Sequence, residues 1–375
     1  MSILQKTKTN WEQLIHQLGK DFESLAVKND LENKFVFENY EQLKKHKFFS
    51  AMVPEELGGG GISYTEMCHL IKTMAKYCGS TALAFSMHQH LVAASVWKYK
   101  SKGLAKETLQ KVAANQLILI STGAKDWLES NGEMEKVEGG YLLSAKKYFA
   151  SQSKVGDVAV TSAPFFNEEK EWQVLHFPVS MTTEGVSVLN DWKVLGMRAT
   201  GSHTIVFDKV FVPQASVALA RPRGEYHMVW NVVLASAMPL IMSAYVGIAE
   251  KAMEIVVEKS KKNPQDQTKF LVGKLNNTFL SAQVQWKAMY ALNDNFNFEP
   301  NENLSIEMLS LKTNVSDACK QTVADAMELL GGQSFYKNNN LERLFRDVQA
   351  SHFHPLPKWS QYGFTGERIL SNSEN

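Results

Sequence analysis
Cysteine is scarce in this sequence: Cys68, Cys78 and Cys319 in 375 residues, an odd number with no CxxC spacing. That excludes a disulfide scaffold and a thiolate zinc site, and it reads as a reducing compartment. Net charge is nearly absent as well, with 40 Lys+Arg against 39 Asp+Glu. No global field draws nucleic acid or an anionic membrane surface, so neither is expected as a partner. The opening MSILQKTKTNWEQLIHQ lacks the apolar run of a secretory signal. No stretch of eighteen residues reads as free of both charge and polarity in the manner of a membrane span. A cytoplasmic protein is expected. Also missing are a GxGxxG after a strand, a GxxxxGK[ST] and an HExxH, so any nucleotide is held by neither a Rossmann turn nor a P-loop.

What is present has ordinary globular texture, 44% apolar and 21% charged, in three successive parts. Up to about residue 115 the apolar spacing is helical. WEQLIHQLGKDFESL puts Trp11, Leu14, Leu18, Phe22 and Leu25 on one face. PEELGGGG is a loop, Ser63 and Glu66 have capping-box spacing, and Gly79 reads as a stop. STALAFSMHQHLVAASVWKY is so apolar that it should be buried. From about 116 to 220 come short β-rich runs: LILIST, GGYLLSAKKYFAS, VGDVAVTSA, EWQVLHFPV and TIVFDKVFVP. No helix-length segment separates them, so they predict an antiparallel sheet or small barrel rather than βαβ units. From about 221 to 375 long helices return, with a break at KNPQDQ. The expected class is α+β, in the domains 1–115, 116–220 and 221–375.

Titratable groups stand at two conspicuous places. His88 and His90 in SMHQH lie two apart on a helix, about 200° around its axis, and cannot share one metal. In RDVQASHFHPLP a helix runs into His352 and His354 and then meets Pro355 and Pro357. With no carboxylate in that loop, a metal site is not expected. Gly331 and Gly332 in ELLGGQSFY read either as a helix cap or as a close approach of backbone to a ligand.

Together these elements resemble the acyl-CoA dehydrogenase superfamily of flavoproteins. WKVLGMRATGSHTIVFDKVFVP (192–213), VPEELGGGGIS (53–63) and MELLGGQSFYKNNNLERLFRDVQA (327–350) are similar to its motifs, in family order over nearly the whole chain. The resemblance implies an N-terminal helical domain, a central antiparallel β-domain and a C-terminal four-helix bundle, assembled as a homotetramer. It implies bound FAD, with FMN as the alternative. Phe149, Ala150 and Ser151 would match the strand beside flavin N5, with the hydroxyl on Ser151. Ser121 and Thr122 would meet the pyrimidine side, and Gly331 and Gly332 the adenosine diphosphate of a neighbouring subunit. Three departures stand out. STGAKDWLESNGE replaces the family's loop at 121–133, the pyrophosphate arginine has no counterpart in KNPQDQTKFLVGK, and Glu328 stands where many relatives have glutamine.

The family's catalytic glutamate position is occupied by Pro355, and its second location by Ala237. His354, immediately before the missing glutamate, becomes the candidate base for oxidising the CH–CH bond of an acyl thioester such as an acyl-CoA. The resemblance also extends to a branch of monooxygenases that receive reduced flavin from a separate reductase and use O2. There the candidates are His354, Ser151 and His88 or His90. A flavin-binding homologue without activity is the third reading.

Overall fold
The structure, a computed structural model, describes residues 9–123, 126–262 and 265–371. The first layer is helical: α1 (Trp11–Glu32), α2 (Phe37–Lys45), α3 (Tyr64–Tyr77), α4 (Gly79–Lys102) and α5 (Lys106–Asn115). The buried stripe of α1 is Ile15, Leu18, Phe22 and Ala26, with Trp11, Leu14 and Leu25 half-buried at its flanks. The capping box forms as the spacing predicts, Glu66 N–H donating to Ser63 Oγ and Ser63 N–H to Glu66. Cys78 separates α3 from α4, and α4 is buried along most of its length.

The middle of the chain forms two four-stranded sheets from β1 (Leu119–Ser121), β2 (Glu133–Val137), β3 (Gly140–Ala150), β4 (Val158–Phe166), β5 (Trp172–Ser180), β6 (Val186–Val188), β7 (His203–Pro213) and β8 (Leu219–Pro222). Their orders are β1-β4-β5-β8 and β2-β3-β7-β6. Every pairing is antiparallel except β1 with β4, which is parallel. The strands that sequence patterning missed, β2, β6 and β8, all lie at sheet edges. Short edge strands bury little and carry a weak alternating signal.

Long helices follow: α6 (Val229–Ser260), α7 (Asp266–Asn293), α8 (Glu302–Leu330), α9 (Leu341–Val348) and α10 (Lys358–Ser371). The break at KNPQDQ separates α6 from α7, although residues 263 and 264 lie outside the described ones. One sequence expectation needs correction. By length and composition α6 could cross a membrane, its apolar window having a mean hydropathy of 2.0. That window is 94% buried, because α6 packs against α3, α4, α7 and α8 as the central core helix. A helix that is apolar all round needs neighbours on all sides.

The β-domain is locked to the helices through α9. Arg346 forks onto Asp30 of α1 at 3.0 and 2.6 Å and donates to the Leu195 carbonyl. Asp347, fully buried, accepts from the Met197 N–H at 2.5 Å. A Cβ on Gly196 would meet the Arg346 carbonyl oxygen at 2.1 Å. Only glycine permits this approach.

Candidate active site
After α9 the chain makes a short 3-10 turn through Gln349–Phe353, and His354 leaves it in extended conformation, φ −66° and ψ 147°. The segment is pinned from α8: Ser316 bonds Ser351 at 2.7 Å, and the Lys312 ammonium donates to the Leu356 carbonyl at 2.8 Å. His354 Nε2 lies 2.5 Å from the Tyr245 hydroxyl of α6. His352 turns to α8, accepting from Lys320 at 3.2 Å.

Burial keeps the Tyr245 phenol protonated, its pKa well above the usual value. His354 is pushed down to about 3 by burial first, then by the charge of Lys312 and by His90. The ring is therefore neutral at physiological pH. The Tyr245 hydroxyl has no other acceptor among the described residues, so it donates to Nε2. The imidazole proton then sits on Nδ1.

The α4 histidines divide cleanly. His88 is fully buried, its Nδ1 accepting from the Leu119 N–H at 3.0 Å and its Nε2 donating to the Phe49 carbonyl at 2.8 Å. Both nitrogens serve backbone, tying α4 to β1 and to the turn at Phe48–Ser50. His90 is 8% exposed, and neither ring nitrogen finds a partner among the described residues. Burial pushes its pKa to about 3. Two unpaired nitrogens in a buried ring are a costly arrangement, and they suit a ligand. The Trp230 indole N–H is likewise buried without a partner among the described residues. On α6, residues 230, 237, 241 and 245 share one face by helical spacing. Ala237 on it is buried and carries no titratable group. Among the described residues no three His, Cys, Asp or Glu side chains gather to hold a metal.

In the β-domain, the β3–β7 register shifts between Lys147 and Ala150, and Phe149 takes φ +60°. This bulge leaves Phe149 half-exposed against Trp192, Ala150 buried, and Ser151 buried at 6% exposure. Ser151 joins a directed hydroxyl chain. Thr200 donates to the Met197 carbonyl at 2.9 Å. With that proton committed, Ser202 donates to Thr200 at 2.7 Å and Ser151 to Ser202 at 2.8 Å. The free lone pairs of Ser151 then accept, rather than donate, a further hydrogen bond.

Ser121 ends β1 half-buried, and Thr122 is buried with its hydroxyl on Thr161 at 2.8 Å. In the substituted loop that follows, residues 124 and 125 lie outside the described ones. Asp126 forms a buried pair with Lys147 at 3.0 Å. The Arg221 guanidinium donates to the carbonyls of Asp126, Trp127, Leu128 and Pro222 and to His176, using all five N–H groups. This clamp sets Trp127 against Trp230 at 4.9 Å.

Gly331 and Gly332 cap α8 in exposed positions, Gly331 at φ +65°, and a Cβ on either would meet open space. Glu328 is paired with Lys274 at 3.0 Å. The structure thus gathers His90, Tyr245 and His354 on the helices and Ser151, Ser202 and Thr200 in the β-domain. It gives His88 to structure. Tyr245 escaped sequence reasoning because it looks like one more core aromatic. Thr200 and Ser202 stood inside a quoted motif, but only the fold shows them linked to Ser151.

Residues 17–116 match the acyl-CoA dehydrogenase N-terminal domain and residues 230–354 the acyl-CoA dehydrogenase C-terminal domain. The chain belongs to the acyl-CoA dehydrogenase superfamily. It is accordingly a flavin-dependent oxidoreductase. The chain is 24% identical over 369 residues to the putative acyl-CoA dehydrogenase YdbM of Bacillus subtilis (strain 168), covering 92% of each. It is 25% identical over 356 residues to the amino sugar nitrososynthase DnmZ of Streptomyces peucetius, covering 90% of this chain and 85% of the relative. Among solved structures, KijD3 in complex with FMN and dTDP-3-amino-2,3,6-trideoxy-4-keto-3-methyl-D-glucose superimposes with a TM-score of 0.85 at 24% identity. That match covers 97% of this chain and 94% of the other. An accepting Ser151 on the bulged strand fits a flavin of this superfamily.

Proposed function
We propose that this acyl-CoA dehydrogenase-like protein is a monooxygenase. It takes reduced flavin from a separate reductase and passes one oxygen atom of O2 to the nitrogen of a small polar amine. The balance is R–NH2 + O2 + reduced flavin → R–NHOH + H2O + oxidised flavin. The observation that carries this reading is the state of His354. It stands beside the lost glutamate position, yet its conjugate acid is pushed to about 3 and its Nε2 is occupied by Tyr245. A base that weak is poorly matched to taking a proton from carbon at neutral pH. A neutral ring with its proton on Nδ1 can instead donate a hydrogen bond from this half-buried position.

The hydroxyl chain supports the same reading. An accepting Ser151 suits the N–H at N5 of reduced flavin better than the bare N5 of the oxidised form. Reversing the chain costs the Thr200–Met197 hydrogen bond, about 1 kcal/mol net. When bound, reduced flavin supplies the two electrons and the O2 activation. The protein's part is to hold Ser151 as acceptor, to present His354 Nδ1–H from a position fixed by Tyr245, to leave the unpaired nitrogens of His90 and Trp230 for substrate, and to exclude water with α4 and α6. An amine, for instance an amino sugar linked to dTDP, is favoured by the nitrososynthase named among the relatives and by the ligand of the KijD3 complex. FMN is proposed over FAD after the FMN named in the KijD3 complex. Self-association belongs to the proposal too: Phe335 and Tyr336, beside the glycines that cap α8, are 81% and 66% exposed. The test is oxygenation of an amine panel with reductase-supplied flavin, set against reduction of oxidised flavin by an acyl-CoA panel.

A further inference from the structure
Lys312, which pins the His354 segment, is a buried cation without a carboxylate partner among the described residues. Its side chain lies in the core with 1% exposure, on the face of α8 turned to the His354 segment. Its ammonium has three protons to donate and one hydrogen bond, to the Leu356 carbonyl at 2.8 Å. No carboxylate pairs with it among the described residues. The nearest on its helix, Asp317, is already shared by Lys320 at 3.0 Å and Lys358 at 2.5 Å. Burial, then the charge of Lys320, bring Lys312 down to about 8, which leaves it mostly protonated at neutral pH. Burying a charge without a counter-charge is costly, and a methionine would fill the same space without that cost.

The location suggests what the charge does. Leu356 is two residues beyond His354, so the Lys312 bond fixes the path of the chain where the imidazole leaves it. The charge also acts on the ring itself. Groups facing His354 come from every packed element: Tyr245 on α6, His90 on α4, Lys312 on α8 with Asp317 and Lys320 beyond it, and His352 on its own segment with Lys358 nearby. Asp347 acts on Tyr245 from α9. Of the charges acting on His354, that of Lys312 is the largest, and it opposes a proton on the ring. We propose that Lys312 is a positioning residue for His354. Through the Leu356 carbonyl it holds the segment in place, and its charge adds to burial in opposing a proton on the imidazole that accepts from Tyr245. This inference rests on the role assigned to His354 above, but its test does not need turnover.

The test is an NMR pH titration of histidine-labelled full-length protein, with His354 assigned by comparison with His354→Asn. Lys312→Gln keeps a donor for Leu356 and removes the charge; Lys312→Arg keeps the charge. In Lys312→Gln the His354 midpoint is expected to rise by on the order of one pH unit or more. In Lys312→Arg it should stay near wild type. In the reconstituted reaction the acidic limb of the pH–rate profile should move with the midpoint. A His354 midpoint in Lys312→Gln equal to that of wild type overturns the proposal. Lys312→Met asks whether the hydrogen bond matters separately, and should lose thermal stability that Lys312→Gln retains. If Lys312→Met does not fold, the Gln and Arg pair still decides the charge effect. Should His354→Asn leave oxygenation intact while Lys312→Gln shifts the midpoint, the function proposed for His354 fails and the electrostatic coupling stands.

Discussion
The hydroxyl of Tyr245 reaches Nε2 of His354 across 2.5 Å, joining the core helix α6 to the segment that follows α9. This contact fixes the imidazole tautomer. Tyr245→Phe keeps the ring and removes the donor, at a net cost of about 1 kcal/mol, or roughly fivefold in any step that depends on the contact. Hydroxylated product per flavin oxidised should fall by about that factor, with hydrogen peroxide rising to match. Unchanged coupling in Tyr245→Phe would remove the tautomer argument.

The α4 histidines should part company under mutation. His88→Ala breaks two buried hydrogen bonds to backbone and opens a cavity, so a loss of roughly 2–4 kcal/mol in chemical denaturation is expected. His90→Leu replaces a buried ring whose nitrogens lack partners among the described residues with an apolar group, so stability should hold or rise. Turnover should be lost in His90→Leu. A stable, fully active His90→Leu protein would show that this ring is only packing.

Acid should weaken the fold in a defined window. His88 and His90 have folded pKa values of about 4 and about 3, below the ordinary 6.5. Between pH 6.5 and 4 the unfolded chain binds protons at these sites and the native one does not. Stability is therefore present above about 6.5 and falls as pH drops, each site adding a slope of up to about 1.4 kcal/mol per pH unit. His176 and His354, both pushed to about 3, add slopes of the same sign, while Asp347, pushed up to about 6 by burial, works with the opposite sign between 3.8 and 6 and offsets about one of the four. Denaturant titrations at pH 7 and pH 5 should show the drop, and His90→Leu should make it shallower. Equal slopes in the two proteins would contradict the assignment of His90 as neutral in the fold.

Much of this was legible in the sequence, for reasons that differ by element. The α–β–α order, the Ser63 capping box and the burial of α4 follow from local periodicity and capping chemistry, and local rules survive folding. The His354 segment could be picked out because prolines end the helical pattern beside a titratable ring. The choice between His88 and His90 could not be read, because it depends on the carbonyl of Phe49 and the N–H of Leu119, groups 39 and 31 residues away in sequence. The same holds for Tyr245, which is 109 residues from His354. The Arg221 clamp was invisible for a different reason: four of its five acceptors are backbone carbonyls, which carry no residue identity.

The most direct test of the account is a single turnover in 18O2. Full-length protein loaded anaerobically with reduced FMN is mixed with 18O2 and a dTDP-linked amino sugar, and the product is weighed by mass spectrometry. The account predicts one 18O atom on the amine nitrogen and tighter binding of reduced than of oxidised FMN. It is contradicted if no amine acquires label while an acyl-CoA, without O2, bleaches the oxidised flavin on the same protein.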